Sequence, residues 1–131
     1  IVDGTDNFAS RQLINEISLR SRKPLVSGAA IRMEGQLSVF NVNDSSPCYQ
    51  CLYGASANDE QLTCSENGVL APVVGIIGAM QATETLKLIA GFGQTLDGRL
   101  LLLDAKSMQI RTLKLKQDPE CECHQLRAQS S

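Results

Sequence analysis

Two cysteine knuckles constrain what this chain can fold into more than any other feature. Cys48-Tyr49-Gln50-Cys51 is a C-x-x-C, and Cys121-Glu122-Cys123-His124 supplies further soft ligands far along the chain, close to its end. Thiolates two or three residues apart close on one tetrahedral ion without strain, so two such knuckles predict a structural Zn²⁺ site. A fold that satisfies them must bring a mid-chain loop against the C-terminus. The rival reading is a redox dithiol, but a thioredoxin-type C-x-x-C should open a helix directly after a strand. The spacing leaves the fourth ligand open. With His124 the two arms are symmetrical, Cys48 and Cys51 facing Cys121 and His124; with Cys123 the second arm is a C-x-C and the imidazole is free. The single His excludes a multi-histidine site.

Five Cys is an odd number, and the clustering differs from the even, dispersed pattern of a secreted scaffold, which favours a reducing compartment. A length of 131 residues, 43% hydrophobic and 20% charged, suits one domain with one core. Twelve basic residues against 14 acidic ones give a formal net charge of −2, and no stretch concentrates Lys and Arg, which argues against nucleic acid and anionic lipid as partners. The uncharged apolar run from Gly68 to Met80 falls well short of the roughly 20 residues that cross a bilayer, and Gln81 and Glu84 follow at once, so no membrane span is expected. The opening Ile1-Val2-Asp3-Gly4-Thr5-Asp6 carries no initiator Met and no signal sequence and reads as the end of a buried strand. The expectation is the C-terminal part of a longer protein.

After that strand, Asx and Thr side chains can accept the free N–H groups of a helix start, and Phe8, Leu13, Ile14 and Ile17 recur at helical spacing to about Arg20. Lys23-Pro24 stops the helix and Leu25-Val26 starts a strand, which is the order of a βαβ unit with parallel strands. Leu37, Val39 and Val42 alternate after Glu34-Gly35, predicting an antiparallel continuation. Residues 44 to 68 lack any period and predict a long loop. Pro72 suits the first turn of a second helix, with Val73, Ile76, Ile77, Met80 and Leu88 as its stripe and Gly91 at its end. In that helix Gly75 and Gly78 would let another backbone approach, or simply mark a tightly packed core helix. Two strands follow, from Arg99 to Asp104 and from Gln109 to Lys116. The expected domain runs over residues 1–124, with 125–131 a frayed polar tail.

Two further residues are candidates for chemistry. Asp6 lies at the carboxyl end of a parallel strand, where open α/β sheets place ligands, and could hold Mg²⁺ on a nucleotide; its plainer reading is a helix N-cap. Cys64 sits alone in a polar loop ahead of the second helix, whose positive end would lower a thiol pKa. Read without context, it is an inert loop cysteine. No P-loop and no G-x-G-x-x-G is present.

Taken together, several runs resemble the MoeB/ThiF/HesA family of ubiquitin-activating-like enzymes. They are Thr5-Asp6-Asn7 with Arg11 and Asn15, Pro24 to Gln36, Pro47-Cys48-Tyr49-Gln50-Cys51-Leu52, Cys64 to Pro72, and Gly75, Gly78, Gln81, Ala82, Glu84, Lys87 and Asp104. The resemblance covers nearly the whole chain. It implies an α/β fold, the C-terminal part of a Rossmann-like mixed sheet with flanking helices and a zinc knuckle. It implies ATP-dependent adenylylation of the C-terminal glycine of a ubiquitin-like sulfur-carrier protein, in molybdopterin or thiamine synthesis, by a cytoplasmic homodimer. On this basis Asp6 and Asn7 would serve the Mg²⁺–ATP site, Arg11 and Asn15 would belong to the same motif, and Cys64 would match the sulfur-transfer cysteine of thiamine-branch members. The run from Ser27 to Gln36 looks more like the molybdopterin branch. The family's second knuckle is C-x-x-C, from which His124 departs. Its glycine-rich nucleotide loop and phosphate-binding Arg and Lys precede the Asp6 motif, so this chain resembles the C-terminal half and should be inactive alone. The alternative is a non-catalytic, zinc-stabilised module that binds a ubiquitin-like protein.

Overall fold

The computed structural model describes residues 1–53 and 68–129. Its five strands are β1 (Val2–Asp3), β2 (Leu25–Ile31), β3 (Glu34–Phe40), β4 (Arg99–Asp104) and β5 (Gln109–Lys114), and they lie in the sheet in chain order. β1 pairs with β2 in parallel, as the strand–helix–strand order predicts, and every later pairing is antiparallel. The helices are α1 (Phe8–Ser21), α2 (Tyr49–Tyr53), α3 (Ala71–Ala90) and α4 (His124–Gln129). The mixed α/β sheet expected from sequence is therefore the fold.

α1 starts at Asn7, whose extended backbone (φ −138°, ψ 154°) lets its side chain accept the Ser10 N–H at 2.8 Å. It ends at Arg22 in the left-handed region. Its buried face differs from the apolar spacing. Leu13 and Ile17 are 57% and 48% exposed, while Arg11, Asn15, Ser18 and Leu19 are buried. The physical reason is a polar layer beneath the helix, where buried Asn41 donates from Nδ2 to Asn15 Oδ1 at 3.2 Å and to Ser18 Oγ at 3.0 Å.

α3 begins with Pro72 in its first turn and ends at Gly91, whose φ of 72° suits a residue without Cβ. It buries Val73, Ile77, Gln81 and Glu84 against β2 and β3. The approach is close because the sheet offers glycines: a Cβ on Gly28 would lie 2.5 Å from Gln81 Cδ, and one on Gly35 2.6 Å from Ile77 Cδ1. By length and composition α3 could cross a membrane. Its packing is that of a core helix, since Gln81 donates to two strand carbonyls and Glu84 accepts the buried Leu96 N–H. Gly75 and Gly78 meet nothing within 4 Å among the described residues, so the close backbone approach has no partner there.

Two segments read as irregular are helical. The first part of the long loop winds into α2, which carries Cys51 and follows Cys48 directly. The expected frayed tail from Gln125 is instead the body of α4, which packs on α1. Arg127 Nη2 donates to Asn41 O at 2.8 Å, and Arg22 Nη2 donates to Arg127 O at 2.9 Å. Tertiary hydrogen bonds hold what local sequence would let fray. β5 stops at Lys114, two residues short of the expected end, and is exposed throughout.

Candidate functional site

The two knuckles meet. The fold carries Cys48 and Cys51 at the start of α2, and Cys121 and His124 lead into α4; their four ligand atoms all lie within 4.8 Å of one another. Cys48 Sγ is 3.7 Å from Cys51 Sγ and 3.7 Å from Cys121 Sγ. A tetrahedral ion with Zn–S bonds of about 2.3 Å requires sulfur–sulfur edges of about 3.8 Å, so the thiols already span such an ion. His124 closes the set with Nε2 at 3.0 Å from Cys51 Sγ, while its Nδ1 lies 3.2 Å from Gln117 Nε2. Cys123 is outside this set: its thiol donates to Gln50 Oε1 at 2.8 Å. Of the two sequence alternatives, the geometry favours His124 as the fourth ligand.

Crowding and burial decide the protonation of these thiols. Hydrogen bonding with Cys123, reinforced by burial, pushes the Cys48 thiol up to about 12. Hydrogen bonding with Cys48 and burial push Cys51 up to about 12, and burial raises Cys121. Without a metal, then, these groups hold their protons at neutral pH. A divalent ion would supply the charge that turns them into thiolates.

A cleft of about 410 Å³ opens on the other side of α1, between the β1–α1 turn, β2, β3 and α3. Exposed Asp6 lines it, and so does Arg11, a residue only 8% exposed. Arg11 Nη1 donates to Gly28 O at 3.2 Å, and Nη2 donates to Thr5 O. Among the described residues no carboxylate pairs with Arg11. A buried cation without a counterion is costly unless something negative joins it. Asn7 is engaged as the cap of α1, and Asn15 is fully buried behind the helix. Cys64 lies outside the described residues.

Sequence reasoning missed several groups here. Asp3, 1% exposed, accepts the N–H and the hydroxyl of Thr5 at 2.8 and 2.7 Å through Oδ1; its Oδ2 has no partner among the described residues. Gln81 Nε2 donates to Asp3 O at 2.8 Å and so fixes the end of β1. Tyr53 faces Arg11 across the cleft and donates to Gln36 Oε1; burial raises its phenol pKa, partly offset by Arg11. The aromatic residues of α2 carry no period long enough to have shown this, and a lone strand Asp has no sequence signal at all.

The sequence model of the ThiF family matches residues 1–124. The chain belongs to the ThiF family. Molybdopterin-synthase adenylyltransferase of Escherichia coli is 46% identical over 125 residues, covering 93% of this chain and 49% of that protein. Adenylyltransferase and sulfurtransferase MOCS3 of Caenorhabditis briggsae is 46% identical over 123 residues, covering 92% of this chain and 31% of its own length. This ThiF-family chain thus spans about half the length of the bacterial relative and less of the nematode one. Among solved structures, E. coli MccB superposes with a TM-score of 0.76 over 94% of this chain and 38% of that one, at 14% identity, which shows a shared fold.

Proposed function

We propose that this chain forms part of an ATP-dependent adenylyltransferase that activates the C-terminal glycine of a ubiquitin-like sulfur-carrier protein for molybdopterin synthesis. The relatives' names carry adenylyl transfer, and two of them carry molybdopterin synthase. The observation that carries the reading is Arg11, a buried residue whose guanidinium has no carboxylate partner among the described residues, lining one cleft with the exposed carboxylate of Asp6. In adenylylation a carboxylate oxygen attacks the α-phosphorus and pyrophosphate leaves. The nucleophile is already ionised, so the protein must position and neutralise charge rather than move a proton. Arg11 supplies fixed positive charge from a rigid helix, its two nitrogens anchored on Thr5 and Gly28. Asp6 would hold Mg²⁺, which screens the phosphates when bound. Asn7 contributes through the cap that orients α1.

Cys48, Cys51, Cys121 and His124 would hold Zn²⁺ as a structural tie between the loop after β3 and the C-terminus. On the family resemblance we assign sulfur transfer to Cys64. We also propose a homodimer, supported by the outer face of α3, where Leu86 and Ile89 are exposed, Ile89 to 77%. The thiol-rich centre requires a reducing compartment, and we place the protein in the cytoplasm.

The test is a graft of residues 1–124 in place of the matching half of the E. coli relative, assayed by carrier-dependent ATP–pyrophosphate exchange. Exchange should survive the graft and fall at least about a hundredfold with Asp6→Ala or Arg11→Lys. Carrier binding without exchange would favour a non-catalytic module instead.

A further inference from the structure

Among the described residues five soft donors lie near the candidate metal centre, and four of them compose it. The fifth, Cys123, sits between Cys121 and His124, is 7% exposed, and packs with Leu19 and Cys48. Its thiol donates to Gln50 Oε1 at 2.8 Å. Gln50 lies inside the first C-x-x-C, so Cys123 is held by the same turn that presents Cys48 and Cys51. Gln50 Oε1 also accepts from Gln12 Nε2 at 3.4 Å, so it keeps a donor if Cys123 leaves.

We propose that Cys123 is a reserve metal ligand, taking the fourth position from His124 and converting a three-thiolate, one-imidazole centre into an all-thiolate one that suits a softer ion than zinc. In the proposed exchange Cys121 and α4 keep their places, and the Cys123 side chain turns toward the position that His124 would hold. With an ion bound, Cys123 would take the position as a thiolate and His124 would leave it as a free imidazole that can accept the displaced proton, so the exchange would need no oxidant or reductant. Soft cations favour thiolate over imidazole, which makes Cd²⁺ the natural probe of the second ligand set.

The inference rests on the four-ligand centre described above, and Co²⁺ loading of the unaltered 131-residue chain tests that centre separately: thiolate-to-cobalt absorption should report three thiolates. His124→Ala should bind Co²⁺ with four thiolates and an affinity within about tenfold of the parent, Cys123→Ser should leave three thiolates and parental affinity, and the double variant should lose at least about a hundredfold. The ¹¹³Cd resonance of the unaltered chain should fall in the four-sulfur range and return to the three-sulfur, one-nitrogen range in Cys123→Ser. His124→Ala binding as weakly as the double variant, failing to fold in excess metal, or showing three thiolates with water would overturn the proposal. So would a ¹¹³Cd resonance that Cys123→Ser leaves unmoved.

Discussion

Asn15 Oδ1 accepts the backbone N–H of Tyr49 at 3.1 Å, a bond that joins α1 to the residue directly after Cys48, the first of the four candidate metal ligands. Asn15 lies one helical turn, about 6 Å along the axis, from Arg11 in the cleft. The same oxygen accepts Asn41 Nδ2, so one buried amide ties the helix that carries the cleft cation to both ends of the loop that opens the metal centre. Asn15→Ala removes the acceptor from two buried donors. The expected loss is about 2–4 kcal/mol in urea unfolding of the zinc-loaded chain. A loss below about 0.5 kcal/mol, the scale of an ordinary surface substitution, would show that water replaces the amide.

Thiol protonation predicts opposite pH responses with and without metal. In the metal-free fold Cys48 and Cys51 titrate near 12 against an ordinary 9.0, so folding favours their protonated forms. That contribution is complete below pH 9.0 and drains away as pH rises toward 12; chelator-treated protein should lose stability across this window. Zinc requires thiolates, so protons compete with it and its affinity should fall as pH falls below neutrality. Titration calorimetry in two buffers of different ionisation heat should give about three protons released per ion at neutral pH. One proton or none would mean that the thiols are not the ligands.

Much of this was legible in the sequence, and the failures share a cause. Strand order, the α3 stripe and the meeting of the knuckles follow from period and ligand spacing, which are local or chemically exclusive. The buried face of α1 was not legible, because Arg11, Asn15 and Ser18 look like a solvated face unless the polar groups of Asn41, Tyr49 and Gly28 waiting beneath them are known. Asp6 and Asn7 are both good capping residues; only the extended backbone at residue 7 decides between them. Helix α4 was hidden for the same reason as the face of α1, since its partners lie far away in sequence.

Glycines in the fold separate packing from surface. Gly28→Ala drives a Cβ into the Gln81 amide that anchors β1, and should cost about 1–3 kcal/mol while distorting the cleft floor. Among the described residues Gly78→Ala meets nothing within 4 Å, and it removes a flexible residue from a helix interior, so it should add about 0.5–1 kcal/mol to the stability of the chain. Paired urea curves check both signs. If α3 also forms the dimer contact, sedimentation should show Gly78→Ala weakening self-association even as it stabilises the monomer.

Arg127 predicts that the metal centre depends on a contact outside it. His124 is the first residue of α4, and Arg127, one turn later, reaches the buried carbonyl of Asn41 at 2.8 Å; Asn41 itself holds a left-handed backbone with φ of 63°. The accompanying ion pair to Asp44, at 3.4 Å, adds little, because the Asp44 side chain is 87% exposed. Arg127→Ala therefore should unlatch α4 and leave His124 on a loose end, whereas Asp44→Ala should change almost nothing. We expect Arg127→Ala to speed zinc transfer to a chelator about tenfold, matching roughly 1.4 kcal/mol of lost restraint, with faster amide exchange over residues 124–129. Equal zinc transfer rates in the two variants would show that the four ligands hold the centre closed without help from the rest of α4.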